Sequence, residues 1–207
     1  MAEIRFCTLR GRDLQAGLDA LARLRITVFR DWPYLYEGDL DYERKYLSRF
    51  AGAKGAVIIG AYDGDRLVGA ATAAPLADHF DDFAEPFLAQ GLKAEDFFYF
   101  GESVLLPEYR GQGIGVRFFS EREAAARREG FDQVVFCGVI RPDDHPRRPA
   151  DHVPLDGFWR NRGYEKMDGV VCAFPWRDIG DAAETRKPMQ FWVRRLPAYV
   201  GRQDIMS

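Results

Sequence analysis

The sequence contains no apolar run long enough to cross a bilayer, although 47% of its 207 residues are hydrophobic. A membrane-spanning helix needs about 20 consecutive apolar residues, so we expect no insertion into a membrane. The first residues, MAEIRFCTLRGRD, are polar and alternating, and they lack the apolar core of a secretory signal. We therefore expect a cytoplasmic protein.

Paired cysteines and basic blocks are also missing. Cys7, Cys137 and Cys172 lie far apart and form no C-x-x-C pair, which favours reduced thiols over a disulfide framework. The formal net charge of -3 comes from 29 basic and 32 acidic residues that are mixed along the chain. Without a basic block to neutralise phosphates, nucleic acid is a poor candidate partner.

The apolar patterning predicts a mixed α/β sheet with antiparallel and parallel portions. Residues 3–11 have a strand pattern, the helix after them is expected to be capped by Asp13, and a second helix begins near Asp41. The Asp-Gly turn at 63–64 lies between two strand-like runs and predicts an antiparallel hairpin. Residues 97–140 contain a strand, a helix and a strand, which implies a parallel pair.

Three glycines fall within five residues, between a predicted strand and a predicted helix: Gly111, Gly113 and Gly115. Glycine permits positive φ, and a glycine turn that opens a helix presents backbone N–H groups to an anion such as phosphate. A nucleotide-binding P-loop would need a Lys-Ser or Lys-Thr pair after the glycines, and a dinucleotide fingerprint would need G-x-G-x-x-G. The observed G-x-G-x-G spacing meets neither requirement.

The segment Arg110-Gly111-Gln112-Gly113-Ile114-Gly115, with its lead-in VLLPEY, resembles the R/Q-x-x-G-x-G/A turn of the GNAT superfamily of acyl-CoA-dependent N-acyltransferases. The strand order, the Asp-Gly hairpin and the later FWRNRGY occupy the places that this family's pattern expects, over residues 4–196. The resemblance implies one acyltransferase domain over residues 1–207. It also implies a central twisted sheet of about seven strands flanked by helices, with a splayed parallel strand pair at the cofactor site.

By this resemblance the co-substrate is acetyl-CoA, with its pyrophosphate against the turn and its pantetheine arm paired to the splayed strand. The strand residues that match this role are Ser103, Val104, Leu105 and Leu106. The matching turn residues are Arg110, Gly111, Gln112, Gly113, Ile114, Gly115 and Val116. The implied function is direct transfer of an acetyl group to a primary amine of a small molecule within a ternary complex. No metal is expected, because no strong ligand spacing occurs.

Three residues are candidates for the base that takes the amine proton. Glu102 lies on the predicted splayed strand, although strand alternation could turn it away from the substrate or leave it as an ion-paired carboxylate. His145 and His152 lie on the Pro-rich segment RPDDHPRRPADHVP, and a histidine side chain is a common proton acceptor in catalysis. The family's usual proton-donating tyrosine is replaced by Trp159, and Tyr164 is expected to be a packing residue. A non-catalytic acyl-CoA-binding or regulatory module is therefore the alternative function.

Two further segments bear on the partners. DWPYLYEGDLDY, residues 31–42, is a candidate wall for the acceptor pocket, because the loop between the first two helices often has that role in the family. A packed, solvated loop fits the same residues equally well. The last strand, near MQFWVRRL, is expected to be exposed, and it could pair with a second copy to give a homodimer.

Overall fold

The computed structural model describes residues 3–78 and 81–197. The strands in this part of the chain are β1 (Arg5–Leu9), β2 (Val57–Asp63), β3 (Arg66–Pro75), β4 (Phe97–Leu105), β5 (Gln133–Val139), β6 (Glu165–Trp176) and β7 (Thr185–Arg195). The helices are α1 (Gly11–Phe29), α2 (Leu40–Ala51), α3 (Asp81–Ala89), α4 (Ile114–Arg128) and α5 (Asp156–Arg160). The strands form one sheet in the order β1-β2-β3-β4-β5-β7-β6.

Strands β4 and β5 are the parallel pair of this sheet, and its other described pairs are antiparallel. β4 and β5 are paired only where Phe97–Tyr99 lies beside Gln133–Val135. Beyond that point the two strands diverge, while β4 stays paired to β3 and β5 stays paired to β7. The predicted mixed sheet of seven strands with a splayed parallel pair is confirmed.

The two faces of the sheet are covered by different helices. Tyr99 and Phe100 are neighbours on β4, so their side chains point to opposite faces. Phe100 packs against Phe119 of α4, with ring centroids 6.2 Å apart, and Tyr99 packs against Phe83 of α3, with centroids 5.3 Å apart. Arg25 of α1 shares a cavity with Tyr99 and Phe83. Helix α4 therefore covers one face, and α1 and α3 cover the other.

The helices begin close to where the sequence patterns place them. Helix α1 begins at Gly11 with Arg10 as its cap residue, so the prediction that Asp13 caps it is wrong; Asp13 lies in the first turn, where a carboxylate still favours the helix dipole. Helix α2 is capped by Asp39, whose carboxylate accepts a hydrogen bond from the Tyr42 N–H at 2.8 Å. The larger core cluster packs buried residues of α1, α2 and α4 against β2, β3 and β4.

The prediction of an exposed last strand is wrong. β7 lies between β5 and β6, and its backbone pairs with both neighbours, so this strand offers no free edge to a second copy. The sequence pattern hides this because β7 comes last along the chain but inserts into the sheet beside β5. Within the described residues, no helix combines the length and the apolar character that crossing a membrane requires.

Candidate active site

The glycine turn lies between the end of β4 and the start of α4. Gly111 has φ +76° and Gly113, the residue before the helix, has φ +81°. A Cβ atom built on either glycine would meet nothing within 4 Å, so the surface of the turn is open. The first N–H groups of a helix have no acceptor inside the helix. The turn can therefore hold an anion with backbone donors and the positive end of the α4 dipole.

The side chains of the predicted cofactor residues divide into two groups. Val104, Leu106 and Ile114 are buried in the core, and Leu105 is half-buried. Val104 and Ile114 can therefore meet a ligand only through their backbone, and the Leu106 N–H already donates to the Val68 carbonyl. The exposed side chains are those of Ser103, Arg110, Gln112 and Val116. The edge of β4 that faces β5 has no strand partner beyond Tyr99, which leaves backbone donors and acceptors for an extended chain such as pantetheine.

A β-bulge in β4 decides where Glu102 points. Ala71 pairs with Ser103 and Ala73 pairs with Phe100, so Thr72 opposes two residues of β4 instead of one. The Thr72 hydroxyl accepts a hydrogen bond from the Glu102 N–H at 3.2 Å. The extra residue shifts the alternation and turns Glu102 to the face of Tyr99, away from α4. Regular alternation, which the sequence suggested, would have placed Glu102 on the same face as Phe100.

Glu102 lines a cavity of about 80 Å³ between α1, α2 and the sheet. The cavity reaches the place where the parallel strands diverge, since Gly101 and Glu102 of β4 and Cys137 of β5 all line it. Its aromatic wall consists of Phe29, Tyr34, Tyr36, Tyr42, Tyr46, Phe83, Tyr99, Phe174 and Trp176. Three of these tyrosines come from segment 31–42, so this segment does form part of the cavity wall.

A buried ion cluster forms one side of this cavity. Arg25 Nε donates to Glu43 Oε2 at 2.5 Å, and Arg25 Nη1 lies 2.6 Å from Glu102 Oε2. The side chains of Arg25, Glu43 and Glu102 are only 10%, 0% and 5% exposed. Burial raises the pKa of Glu102, and the opposing charge of Arg25 offsets only part of this effect. Two carboxylates share a single guanidinium, so the cluster carries a net negative charge when both are ionised.

Each carboxylate of the cluster has one oxygen that Arg25 does not contact. Among the described residues, neither Glu43 Oε1 nor Glu102 Oε1 has a hydrogen-bond partner. An unpaired carboxylate oxygen in a buried position is costly unless a donor reaches it. Both residues line the cavity, so a ligand with hydrogen-bond donors could satisfy both oxygens.

Arg122 of α4 supports Glu102 from the other face of the sheet. Its Nη1 donates to the Glu102 carbonyl at 3.4 Å, and its guanidinium lies 4.5 Å from the Phe100 ring centroid and 4.9 Å from that of Phe119. Burial lowers the pKa of Arg122 to about 10, so it stays charged at neutral pH. Arg122 therefore positions the bulge without facing the cavity.

The sequence motifs do not single out Arg25, Glu43 and Arg122, but one feature of the pattern indicates them. Each occupies a position on the apolar stripe of its helix, where a core residue is expected. In α2, for example, the buried residues are Glu43, Leu47 and Phe50. A charged residue at such a position is almost never fully buried unless it is paired, so it deserves to be treated as a candidate for a site.

The two candidate histidines lie outside the Glu102 cavity, although His152 lines a neighbouring pocket that shares Tyr34 and Cys137 with it. Their rings pack against Trp32, with centroid distances of 5.0 Å for His145 and 5.7 Å for His152. His145 Nδ1 also accepts a hydrogen bond from the Arg147 N–H at 3.2 Å. The start of their loop is fixed by Arg141, which donates to both carboxylate oxygens of Asp178 at 2.7 and 3.0 Å. Neither histidine lines the cavity that contains Glu102.

Trp159 and Tyr164 are packing residues. The Trp159 ring lies against Gly138 of β5, where a Cβ would come within 2.9 Å of it, and it packs on Trp192 with centroids 5.0 Å apart. Tyr164 is 1% exposed, and its hydroxyl donates to Glu123 at 2.9 Å, as expected for a packing residue. An indole at this place closes the region beside β5 with an apolar ring and supplies no acidic proton.

The chain was compared with the models of known protein families. The model of the acetyltransferase (GNAT) family matches residues 21–149, which include the splayed strands, the glycine turn, the second half of α1 and all of α2. The chain belongs to the GNAT family. The predicted resemblance is confirmed, and this GNAT protein is an acyltransferase by membership. No protein in a curated collection matches the chain in sequence.

Solved structures share the fold of this GNAT protein at low sequence identity. A ribosomal-protein-alanine N-acetyltransferase from Brucella melitensis is 16% identical with a TM-score of 0.59, covering 92% of this chain and 99% of its own. A Salmonella typhimurium protein solved with its cofactor acetyl-CoA is 12% identical with a TM-score of 0.57, covering 98% and 99%. An N-acetyltransferase from Thermoplasma acidophilum in complex with coenzyme A is 12% identical with a TM-score of 0.53, covering 93% and 99%. Among the described residues of this chain, no group of three or more His, Cys, Asp or Glu side chains is arranged to hold a metal ion.

Proposed function

We propose that this GNAT protein transfers an acetyl group from acetyl-CoA to a primary amine of a small molecule, directly and within a ternary complex. The observation that carries the proposal is the position of Glu102. A β-bulge turns this carboxylate into a cavity at the point where β4 and β5 diverge, and its Oε1 has no partner among the described residues. A base for the amine is needed at this place in an acyl transfer.

The chain's residues fit acetyl-CoA in two places. The open glycine turn at 111–113 can receive the pyrophosphate through the N–H groups of residues 111 to 116 at the start of α4. The edge of β4 that has no strand partner, at residues 103–105, can hydrogen-bond the pantetheine arm. The Leu106 N–H already donates to the Val68 carbonyl at 3.0 Å, so it is not part of this edge. When bound, acetyl-CoA supplies a thioester carbonyl as the acyl donor. Relatives of this fold solved with acetyl-CoA and with coenzyme A support this assignment.

Glu102 is the proposed general base. Its Oε1 accepts a proton from the amine, and the free nitrogen lone pair can then attack the thioester carbonyl as the C–S bond breaks. Burial raises the pKa of Glu102, which makes it a better match for an amine proton than an exposed carboxylate. The backbone N–H groups near Val104 and Leu105 are the proposed donors that polarise the carbonyl. Trp159 cannot protonate the departing thiolate, so no protein acid is assigned to that step.

His145 and His152 remain the second candidates for the base. Both histidines belong to the Pro-rich loop and pack against Trp32. Neither lines the cavity that holds Glu102. We infer that they stabilise this loop by packing and that Glu102 takes the proton.

The second candidate function is a non-catalytic module that holds acyl-CoA without transferring the acyl group. Trp159, in the place of the usual tyrosine, favours it, because the indole cannot act as an acid. Titration calorimetry with acetyl-CoA followed by a thiol-release assay over a set of amines separates the two functions. Amine-dependent release that is lost in Glu102→Gln but kept in Glu108→Gln, an exposed carboxylate beside the turn, would establish the transferase. Tight binding with no release from any amine would favour the module, and no binding of acetyl-CoA would refute both.

A further inference from the structure

The charges and the lining of the cavity around Glu102 indicate which class of amine is the acceptor. We propose that the acceptor is a small monovalent alkyl or arylalkyl amine without a carboxylate, and that Glu43 binds its ammonium group opposite Glu102. This inference rests on the proposed function, because it takes the cavity as the acceptor site. It names a binding residue, Glu43, that is separate from the base.

The first argument is the pair of free carboxylate oxygens. Glu43 is fully buried on α2 and Glu102 is nearly so on β4, and Arg25 occupies only Oε2 of each. Oε1 of each residue has no partner among the described residues, and both residues line the cavity. A protonated primary amine has three N–H donors on one atom, so it can donate to both oxygens at once. Neutral alcohols have a single donor and bring no charge to balance the cluster.

The second argument is the balance of charge around the cavity. Among the described residues that line it, Arg25 is the one cation, and its Nε and Nη1 already contact Glu43 and Glu102. A carboxylate on the acceptor would find no uncommitted cation and would face two carboxylates. The tyrosine rings add to the preference for a cation, since the face of an aromatic ring attracts positive charge. Tyr46 and Phe29 already hold Arg25 in this way, at 4.7 and 5.0 Å from the ring centroids.

The third argument is size. The cavity has a volume of about 80 Å³ and a lining of mostly aromatic side chains. An ammonium group with a short apolar body fills that space, and its body would contact the rings of Phe29, Phe83 and Phe174.

The test compares three ligands of one shape: isoamylamine, isoamyl alcohol and leucine. The alcohol replaces the ammonium with a neutral group, and leucine adds a carboxylate beside the amine. Affinities for the full chain at pH 7.5 and low salt are measured by NMR titration, which reaches millimolar dissociation constants. We expect the amine to bind at least tenfold more tightly than either of the others. Equal affinity for the alcohol, or equal or tighter binding of leucine, would overturn the inference.

Variants then test Glu43 itself. A hydrogen bond to a charged group contributes enough that Glu43→Gln should weaken amine binding about tenfold to a hundredfold. Glu123→Gln is the matched control, because Glu123 is also buried and ion-paired, with Arg194 at 2.7 Å, but lies outside the cavity. We expect the control to keep amine affinity within twofold. Equal amine affinity in Glu43→Gln and the wild type would exclude Glu43 as the binding residue. If a variant fails to fold, the three-ligand comparison on the wild type still decides the acceptor class.

Acetyl-CoA titration of the same preparations separates this inference from the proposed function. If the wild type does not bind acetyl-CoA, the proposed transferase is refuted. The amine affinities would still show whether the cavity binds a small amine. Conversely, rapid transfer to amino acids or peptides but not to small amines would refute the acceptor class and leave the transferase established.

Discussion

Replacement of Glu102 by glutamine tests the proposed base most directly. Glutamine keeps the size of the side chain, and its amide oxygen can still accept from Arg25 Nη1, which lies 2.6 Å from Glu102 Oε2. The variant therefore removes the ability to take a proton with little change in shape. Its stability should change little, because the neutral amide avoids the cost of a second buried carboxylate and leaves Arg25 paired with Glu43.

In Glu102→Gln, we expect a large decrease in kcat and little change in the affinity for acetyl-CoA. A positioned general base contributes about 10²–10⁴-fold to a reaction, which is about 3–5 kcal/mol of activation free energy. We expect kcat for acetyl transfer to fall by this factor, measured as thiol release at saturating amine, while the affinity for acetyl-CoA stays within about twofold. A decrease in kcat of less than tenfold, in a variant that still binds acetyl-CoA, would refute the assignment of Glu102.

The pH profile provides a second readout of the same residue. The base must be deprotonated to act, so kcat/KM should fall as the pH drops through the pKa of Glu102. Burial raises this pKa, so the fall should lie above the roughly 4.3 of an ordinary glutamate. Arg25, Glu43 and the cavity tyrosines face this carboxylate, and the guanidinium limits the rise. The acid limb should disappear in Glu102→Gln, and its persistence there would point to another base.

Three further predictions concern the turn, the support of the bulge and the loop. Gly113→Asp places a side chain at φ +81° and a carboxylate at the proposed pyrophosphate site. The affinity for acetyl-CoA, measured by calorimetry, should therefore fall more than a hundredfold. The control Gly64→Asp, at φ +57° in the β2-β3 turn, should leave that affinity unchanged. Arg122→Met removes the hydrogen bond to the Glu102 carbonyl in the bulge, so kcat should fall about threefold to thirtyfold while the affinity for acetyl-CoA stays unchanged. Recovery of kcat in Arg122→Lys would support a positioning role for Arg122. An unchanged kcat in Arg122→Met would exclude that role. His145→Ala and His152→Ala should each lower kcat less than threefold, and a loss above tenfold in either would move the base to the Pro-rich loop.

Local patterns in the sequence were sufficient for much of the fold. The glycines at 111 and 113 signalled a turn because positive φ is costly for other residues, and both do adopt it. Asp-Gly at 63–64 signalled the hairpin for a similar reason, and β2 and β3 pair across it. The place of the last strand was predicted wrongly, since the order of strands in a sheet depends on contacts between distant segments.

The candidate site depended on the tertiary structure to a greater degree. Glu102 could be selected from its place beside the glycine turn, but its direction depends on a bulge opposite Thr72, and that pairing is set by register between two strands. Arg25 is far from Glu102 in the sequence, and only the packing of α1 on the sheet brings them within 2.6 Å. A pattern of spacings along one strand carries no information about either contact.

The sequence by itself determined the family, the glycine turn and the order of the secondary structure, because each follows from residue preferences within a few positions of one another. The tertiary structure alone decided which charges meet in the cavity. Burial of Arg25 with Glu43 and Glu102 requires three separate elements to exclude water together, and that exclusion gives the two free carboxylate oxygens their proposed roles as ammonium ligand and base.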